Sequence, residues 1–140
     1  MANDLMRFSV AVPEDLLIQF DQLVARRGLA KNRSEVVRDL IRAALVEEEC
    51  DLPGMEVMGS LTIVYDHHAV DLRDKLHGIQ HDYFANILAT THVHVDHHTC
   101  LEVIILRGQT ELVQEVGNRI LGLKGVKNGH LVLSSVHDYA

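Results

Sequence analysis

The amino-acid sequence predicts an α+β protein with two small units, the first in the order βαα and the second in the order βαββαβ. Two observations support this prediction. Apolar residues recur with period two or with helical spacing in segments of suitable length. A charged stretch with Pro and Gly at residues 47–54 separates the two groups of segments. The chain has 140 residues, of which 47% are hydrophobic and 24% charged, so it can form two packed units and is too apolar for disorder.

The first unit is predicted to be a strand followed by two helices. The segment 7–12 alternates with period two, so its apolar residues face a core. Its other face carries Arg7, Ser9 and Ala11. Pro13 opens a helix that ends near Gly28, and Asn32 with Glu35 forms a capping pair for the next helix. Because one strand and two helices bury little apolar surface, we expect this unit to dimerise.

The second unit is predicted to be ferredoxin-like, a sheet with both helices on one face. Its strands are predicted at 56–65, 86–95, 101–107 and 130–136, and its helices at 69–81 and 110–123. We place the domains at 1–48 and 56–140, with a linker at 49–55. Cys50 falls in that linker, so we expect its thiol to be exposed or partly buried.

Charge and histidine are distributed unevenly along the chain. Residues 1–46 carry seven basic groups against six acidic ones, whereas residues 47–140 carry six against fourteen, which together give the net charge of −7. All ten histidines lie from His67 onward. The apolar stretches are far shorter than the ~20 residues of a membrane span, and we find neither a secretion signal nor a disulfide framework. We therefore expect a cytoplasmic protein with no membrane partner.

The outward face of the first strand suits DNA recognition. Two such strands, paired between copies, form a ribbon that fits the major groove. Arg7 has the fork that engages guanine, and Ser9 can bond to either base type. The helix start at Asn32, Arg33 and Ser34 offers backbone N–H groups to phosphate, and Arg33 adds charge. The alternative is an exposed strand face followed by an ordinary helix cap.

The segment TTHVHVDHHTC, residues 90–100, has the composition of a metal site. His92 and His94 share one face of a strand, and the link that follows would turn the chain and bring Cys100 back near them. Two imidazoles and a thiol suit a late divalent transition metal rather than magnesium or calcium. The alternative is a surface hairpin with incidental histidines.

Over residues 6–136 the chain resembles the NikR family of nickel-responsive transcriptional regulators, in which a ribbon–helix–helix unit is joined to an ACT-like unit. The most specific likeness is His81 followed by His92-Val93-His94 and Cys100. The resemblance implies that these four residues bind Ni(II) in a square plane, with His81 supplied by a neighbouring subunit. Ni(II) accepts planar geometry, whereas Zn(II) prefers a tetrahedron.

The resemblance implies further roles. Glu102 would order the metal site by hydrogen bonds. Glu35 and Asp39 would hold a hard cation such as potassium between the domains, the alternative being a solvated acidic helix face. Ala11 stands where family members often have Ser or Thr. The family arrangement is a homotetramer, a dimer of dimers, that reads operator DNA with two-fold related half-sites and represses nickel-uptake genes when nickel is bound.

Other interpretations remain open at this stage. The chain could be a ribbon–helix–helix regulator that senses another transition metal or a small molecule through its ACT-like unit. His77 and His81, four residues apart, could form a zinc-type pair on a helix. Four further histidines are expected to be exposed polar residues, the alternative being that they bind extra metal at high concentration: His67, His68, His97 and His98. His130 and His137 are expected to be structural or exposed. The sequence shows neither a nucleophile–base pair nor a phosphate loop, so we expect no enzymatic activity.

Overall fold

The computed structural model describes residues 4–28 and 31–136 and separates into two units between Leu45 and Val46. The first unit contains helix α1, Glu14–Arg26, and most of helix α2, Arg33–Cys50. Helix α1 begins directly after Pro13, as predicted, with two carboxylates in its first turn. The Asn32 side chain caps α2, since its carbonyl oxygen accepts a hydrogen bond of 3.0 Å from the Glu35 N–H.

The predicted strand at 7–12 is not formed in the single chain. Residues 4–13 have no regular secondary structure, and Phe8 and Val10 are 70% and 69% exposed. A strand exists only where a neighbouring strand bonds to its backbone N–H and C=O groups, and no described segment of this chain pairs in that way with residues 7–12. Residues 7–12 therefore form no strand in one chain taken alone, and their pairing with a second copy stays a prediction.

The second unit has the predicted order βαββαβ. Its elements are β1 Glu56–Asp66, α3 Leu72–Asp82, β2 Ile87–His94, β3 Thr99–Gln109, α4 Thr110–Leu121 and β4 Val126–Ser135. The sheet order is β2-β3-β1-β4, and every neighbouring pair of strands is antiparallel. This order confirms the ferredoxin-like arrangement.

The starts of α3 and β4 differ most from the prediction, for local reasons. Helix α3 begins at Leu72 rather than Ala69, because Asp71 adopts a left-handed conformation with φ of 64° that cannot continue a helix. Strand β4 begins at Val126 rather than His130 and includes Gly129, which lies opposite Ile63 of β1. A Cβ atom at Gly129 would lie 2.6 Å from the Thr62 carbonyl oxygen, so glycine permits this close pairing.

The core of the second unit lies between the sheet and its helices. In β1 and β3 every second residue is buried, and α4 packs on β1, β3 and β4. Fully buried side chains include Leu61, Ile63, Leu72, Ile104, Leu106 and Ile120. Cys100 and Glu102 occupy the same buried face of β3. The metal-binding candidates therefore sit at one end of a closed apolar core.

Cys50 is buried, which corrects the expectation of an exposed or partly buried thiol. The glutamates before it continue α2 rather than start a linker, since glutamate is a good helix former. Cys50 is 3% exposed and joins the core of the second unit, its carbonyl oxygen accepts a hydrogen bond from the Thr110 hydroxyl, and burial raises the pKa of its thiol. Further along, the Gly54 N–H donates to the Glu111 carboxylate at 2.6 Å.

None of the helices in the described part of the chain has the length and apolar character needed to cross a membrane.

Candidate metal centre and DNA interface

The pairing of β2 with β3 places three of the predicted ligands on one face of the sheet. His94 lies opposite Cys100 and His92 lies opposite Glu102. Because side chains alternate between faces, all four share the face that the helices cover. Strand β2 is at the edge of the sheet, so both histidines are exposed, whereas Cys100 is fully buried.

A tight turn between β2 and β3 sets this pairing. The Asp96 carboxylate accepts hydrogen bonds of 2.8 Å from the backbone N–H groups of His98 and Thr99. The Val95 N–H donates to the Thr99 carbonyl oxygen at 2.9 Å. These bonds hold the pKa of Asp96 below its usual range. Aspartate is suited to such turns because its side chain bonds to the backbone two or three residues on.

The distances show how close the ligand atoms are in one chain. Cys100 Sγ lies 3.6 Å from His94 Nδ1, and the rings of His92 and His94 are 4.9 Å apart between centroids. His92 Nε2 lies 3.4 Å from the Tyr65 hydroxyl. One thiol and two imidazoles suit a late divalent metal, and bind it as thiolate and neutral rings. The residues present therefore fit a nickel ion chemically.

His67 joins this group, although its sequence context predicts an exposed polar residue. Its Nδ1 lies 3.2 Å from Cys100 Sγ, and the ligand atoms of His67, His94 and Cys100 all lie within 4.8 Å of one another. In the described ranges this is the one group of three or more such donors so close together. Alternation along the strand was the signal that the sequence offered for this position. Tyr65 of β1 pairs with Cys100 of β3, and His67 comes two residues after Tyr65.

His67 is half-buried, and its surroundings favour the neutral ring. Partial burial, and then the positive charge of Arg73, lower the pKa of His67. Arg73 Nη2 lies 3.4 Å from His67 Nδ1. The expectation of exposure holds for His68, His97 and His98, all of which are exposed.

A cleft beside the histidines is lined by α3, β2 and the neighbouring strands. Its walls include Tyr65, Arg73, His77, His92, His94 and Glu102. Glu102 is 8% exposed and accepts a hydrogen bond of 3.2 Å from the Gln80 amide. Burial, and then the negative charge of Glu102, raise the pKa of Tyr65 to about 12. The uncharged phenol is therefore available as a hydrogen-bond partner for His92.

His81 and the helical histidine pair lie outside the cluster of close donors. His81 occupies the last turn of α3 and is exposed, and His77, one turn earlier, lines the cleft. Neither belongs to a group of three close donors within the described chain. His130 is exposed, as predicted, and His137 lies outside the described residues.

The candidate DNA-binding residues of the first unit are exposed. This applies to Arg7, Ser9, Ala11, Asn32, Arg33 and Ser34. Arg33 forms a two-point ion pair with Asp21, with Nε–Oδ1 and Nη2–Oδ2 distances of 2.7 Å, which lowers the pKa of the carboxyl. A phosphate contact by Arg33 would therefore replace an existing partner.

The carboxylates proposed for a second cation lie one turn apart on α2. Asp39 is bound to Lys31 at 2.8 Å and to Arg42 at 3.4 Å, and the hydrogen bond from Lys31 is the main reason that the pKa of Asp39 is lowered. Glu35 is half-buried. A bound cation at Asp39 would compete with two positive side chains.

Comparison with known families bears on both units. Residues 58–134 match the family model described as "NikR C terminal nickel binding domain", and residues 6–48 match the one described as "Ribbon-helix-helix protein, copG family". The chain belongs to the NikR family. The family match identifies the first unit as ribbon–helix–helix, although its strand is unformed in a single chain.

Relatives of the NikR family match over nearly the whole chain. A protein of Trichlorobacter lovleyi is 46% identical over 133 residues, covering 95% of both chains. One from Solibacter usitatus is 48% identical over 133 residues, with the same coverage of each, and one from Thermococcus kodakarensis is 45% identical over 130, covering 93% of this chain and 94% of its own. Each is described as a "Putative nickel-responsive regulator". Since these descriptions name a regulator, the prediction that this NikR-family chain is not an enzyme is confirmed.

Among solved structures, the ACT domain of the GTP pyrophosphokinase of Chlorobium tepidum aligns with 56% of this chain and 100% of its own, at 13% identity and a TM-score of 0.46. This likeness is too slight to support a conclusion.

Proposed function

We propose that this protein is a nickel-responsive transcriptional regulator that represses nickel-uptake genes when Ni(II) is bound. The observation that supports this most is the hairpin that brings His92, His94 and Cys100 to one face of the sheet, in a chain whose other unit is ribbon–helix–helix. The second unit receives the metal and the first reads DNA. We expect metal sensing and DNA binding to take place in the cytoplasm, where we place the protein.

The proposed nickel ligands are His92, His94 and Cys100 of one chain and His81 of a neighbouring chain. His81 supports this division, because it is exposed at the end of α3 and lies outside the donors that one chain brings together. Four donors fill a planar Ni(II) centre. Nickel held by these residues would neutralise the thiolate charge and link two chains. Glu102, fixed by Gln80 opposite His92, would orient that ring.

The proposed DNA contacts divide into reading and positioning groups. Arg7, Ser9 and Ala11 would face the bases from a ribbon of two paired strands, one from each copy. Asn32, Arg33 and Ser34 would contact phosphate at the start of α2. Arg33 would exchange the Asp21 carboxylate for a phosphate oxygen, another acceptor suited to its planar fork.

The proposed assembly is a homotetramer, a dimer of dimers, on an operator with two-fold related half-sites. Exposed apolar residues of the first unit support its dimerisation: Phe8, Val10, Val12, Leu16, Ile41 and Leu45. The second units, 56–140, would form the centre of the tetramer. The connection between the two units would set how far apart the two DNA-binding dimers lie.

We also propose that Glu35 and Asp39 hold a hard cation such as potassium. Their spacing supports this, since residues four apart lie on one face of a helix. Lys31 and Arg42 would have to leave Asp39 for the cation to bind.

An absorption titration with Ni(II) tests the central proposal. Wild-type protein should show thiolate-to-metal charge-transfer absorption, and Cys100→Ala should lose it because Cys100 is the proposed sulfur ligand. Cys50→Ala is the matched control: it removes the other buried thiol and should keep the band. The affinity should fall at acid pH, because the donors bind deprotonated. A band that persists in Cys100→Ala would mean that Cys100 is not the sulfur ligand, and wild-type protein without any such band would favour the alternative of a regulator that senses another ligand.

A further inference from the structure

The last turn of helix α2 is unfavourable when the helix is considered by itself. Helix α2, Arg33–Cys50, ends with three successive glutamates and Cys50, and its last turn carries no basic residue. Glutamate has a good intrinsic helix propensity, but the end of a helix carries partial negative charge on its unpaired carbonyl groups, so acidic side chains destabilise it there. The last turn therefore depends on partners outside α2.

Those partners lie in the second unit, to which residues from Val46 onward belong. Cys50 is buried in the core of that unit, and Val46 packs against the same core. The Cys50 carbonyl oxygen accepts a hydrogen bond from the Thr110 hydroxyl, and the Glu49 carboxylate accepts one of 3.4 Å from the Ser135 hydroxyl. Because the last four carbonyl groups of a helix have no partner within it, the Thr110 hydroxyl satisfies a group that α2 leaves unpaired.

Thr110 is itself held firmly by its surroundings. It is the first residue of α4 and follows strand β3, Thr99–Gln109, without a loop. Thr110 is 2% exposed, and its N–H donates to the Met55 carbonyl oxygen at 2.8 Å. The second residue of the same strand is Cys100, the proposed sulfur ligand of nickel. Strand β3 therefore connects the candidate metal site to the residue that holds the end of α2.

We propose that the Thr110 hydroxyl couples nickel binding in the second unit to DNA binding by the first, by holding the last turn of α2. This inference rests on the proposed function, in which nickel fixes how the second units associate and the start of α2 contacts phosphate. Thr110 is not among the proposed metal or DNA contacts, so it acts only by positioning α2.

Loss of this hydrogen bond would make the connection between the units longer and looser. A residue that leaves a helix spans up to about 3.3 Å along the chain instead of about 1.5 Å, and gains backbone freedom. Nickel raises DNA affinity only as far as it favours the arrangement that binds DNA. With a loose connection, nickel would still fix the second units, but this would no longer fix the spacing of the DNA-binding dimers.

Operator titrations with and without Ni(II) test the coupling. In wild-type protein, nickel should raise operator affinity by about 5- to 150-fold, the usual range for coupled sites. Thr110→Val keeps the shape of the side chain but removes the hydroxyl, and should reduce that gain about fivefold, the factor that corresponds to one net hydrogen bond. Thr110→Ser keeps the hydroxyl and should retain the gain. Both variants should keep wild-type Ni(II) affinity and the thiolate absorption band.

Glu111→Ala is the matched control on the same helix. The Glu111 carboxylate accepts a hydrogen bond of 2.6 Å from the Gly54 N–H, which lies in the connection after α2 rather than in the helix. Loss of that bond leaves the last turn of α2 in place, so the nickel-dependent gain should stay near that of wild type.

The Cys50 thiol reports the state of the last turn without nickel or DNA. Cys50 is 3% exposed, so it should react slowly with a maleimide in metal-free protein. Thr110→Val should speed the reaction about fivefold, because the open form of the turn becomes more populated by the same factor. Thr110→Ser and Glu111→Ala should react at the wild-type rate. Peptide mass spectrometry separates the label at Cys50 from that at Cys100.

Four results would overturn the inference in variants that circular dichroism shows to be folded. They are a full nickel-dependent gain in Thr110→Val, an equal loss in Thr110→Val and Thr110→Ser, an unchanged rate of Cys50 labelling, and weakened nickel binding, which would place the effect at the metal site. Should Thr110→Val not fold, Thr110→Ala is judged by the same criteria. Wild-type protein without any nickel-dependent gain would instead contradict the proposed function, while Cys50 labelling would still decide whether the hydroxyl holds α2.

Discussion

The two units differ in how much of their apolar surface they cover by themselves. In the second unit both helices contribute fully buried residues, and Leu61 and Ile104 of the sheet are 0% exposed. In the first unit no residue of α1 is buried, and Phe8 and Val10 are 70% and 69% exposed. One chain therefore covers the core of the second unit, which we call finished, and leaves apolar residues of the first unit exposed, so we call the first unit unfinished. A second copy is the occupant that we propose for the unfinished side.

The largest effect is expected in the finished core. Ile104→Ala should destabilise the second unit by about 2–5 kcal/mol, because it leaves a cavity among fully buried neighbours. Urea unfolding followed by circular dichroism measures this. Ile18→Ala, at a 53% exposed position of α1, is the control and should stay within about 0.5 kcal/mol. The unfolding of the first unit should depend on protein concentration more strongly than that of the second, because only a second copy covers its apolar residues. If the second unit shows that dependence and the first does not, the comparison is reversed.

A variant at His81 tests whether the metal site of the second unit, unlike its core, needs a residue from another chain. His81→Ala should abolish the nickel-dependent gain in operator affinity, a coupling of about 1–3 kcal/mol, because it removes the ligand proposed to come from another chain. His77→Ala, one turn earlier on α3, should keep the gain. Operator titrations with and without Ni(II) measure both. A full response in His81→Ala would show that one chain completes the site.

Arg7→Ala tests what the unfinished unit reads. It should lower affinity for the specific operator by about 1–3 kcal/mol and leave random duplexes nearly unaffected, because Arg7 is the proposed base contact. Arg33→Ala is the comparison variant: it should weaken binding to all sequences alike and reduce the salt dependence. Binding assays over a range of salt concentrations separate the two. An unchanged ratio of specific to random binding in Arg7→Ala would exclude the strand as the reader.

The smallest effect is expected at the start of α2. Asn32→Ala should destabilise the first unit by about 1 kcal/mol, because the Glu35 N–H loses its side-chain acceptor. Asn32→Asp keeps an acceptor and should stay near wild type. Thermal unfolding of both variants at equal concentration measures the difference. A loss as large as that of Ile104→Ala would mean that Asn32 does more than cap the start of α2.

Much of the fold was predictable because it follows from residue patterns within short segments of the sequence. Hydrophobic periodicity gave both helices of the first unit and the element order of the second. Strand β4 was predicted too short because Asn128-Gly129 is typical of a turn, whereas here Gly129 allows β4 to approach Thr62 closely. The segment at 7–12 has a strand pattern, but no other described segment of its own chain pairs with it.

The candidate site was predictable only where its residues are neighbours in sequence. Alternation placed His92 and His94 together, and the short turn returned Cys100 to them. The closeness of His67 to Cys100 was missed because it depends on the register of β1 against β3, which the alternation within β1 does not reveal by itself.

The turn between β2 and β3 has a consequence for how such a site can change by insertion or deletion. Cys100 faces His94 because the two strands pair in one register, and that register is set by the number of residues between them. One residue added between Val95 and Thr99 would keep every donor in the sequence, yet would turn Cys100 to the opposite face of the sheet unless a bulge absorbed it. Two added residues would restore its face. The number of residues between His94 and Cys100 can therefore change only by an even number if both donors are to stay on one face of the sheet.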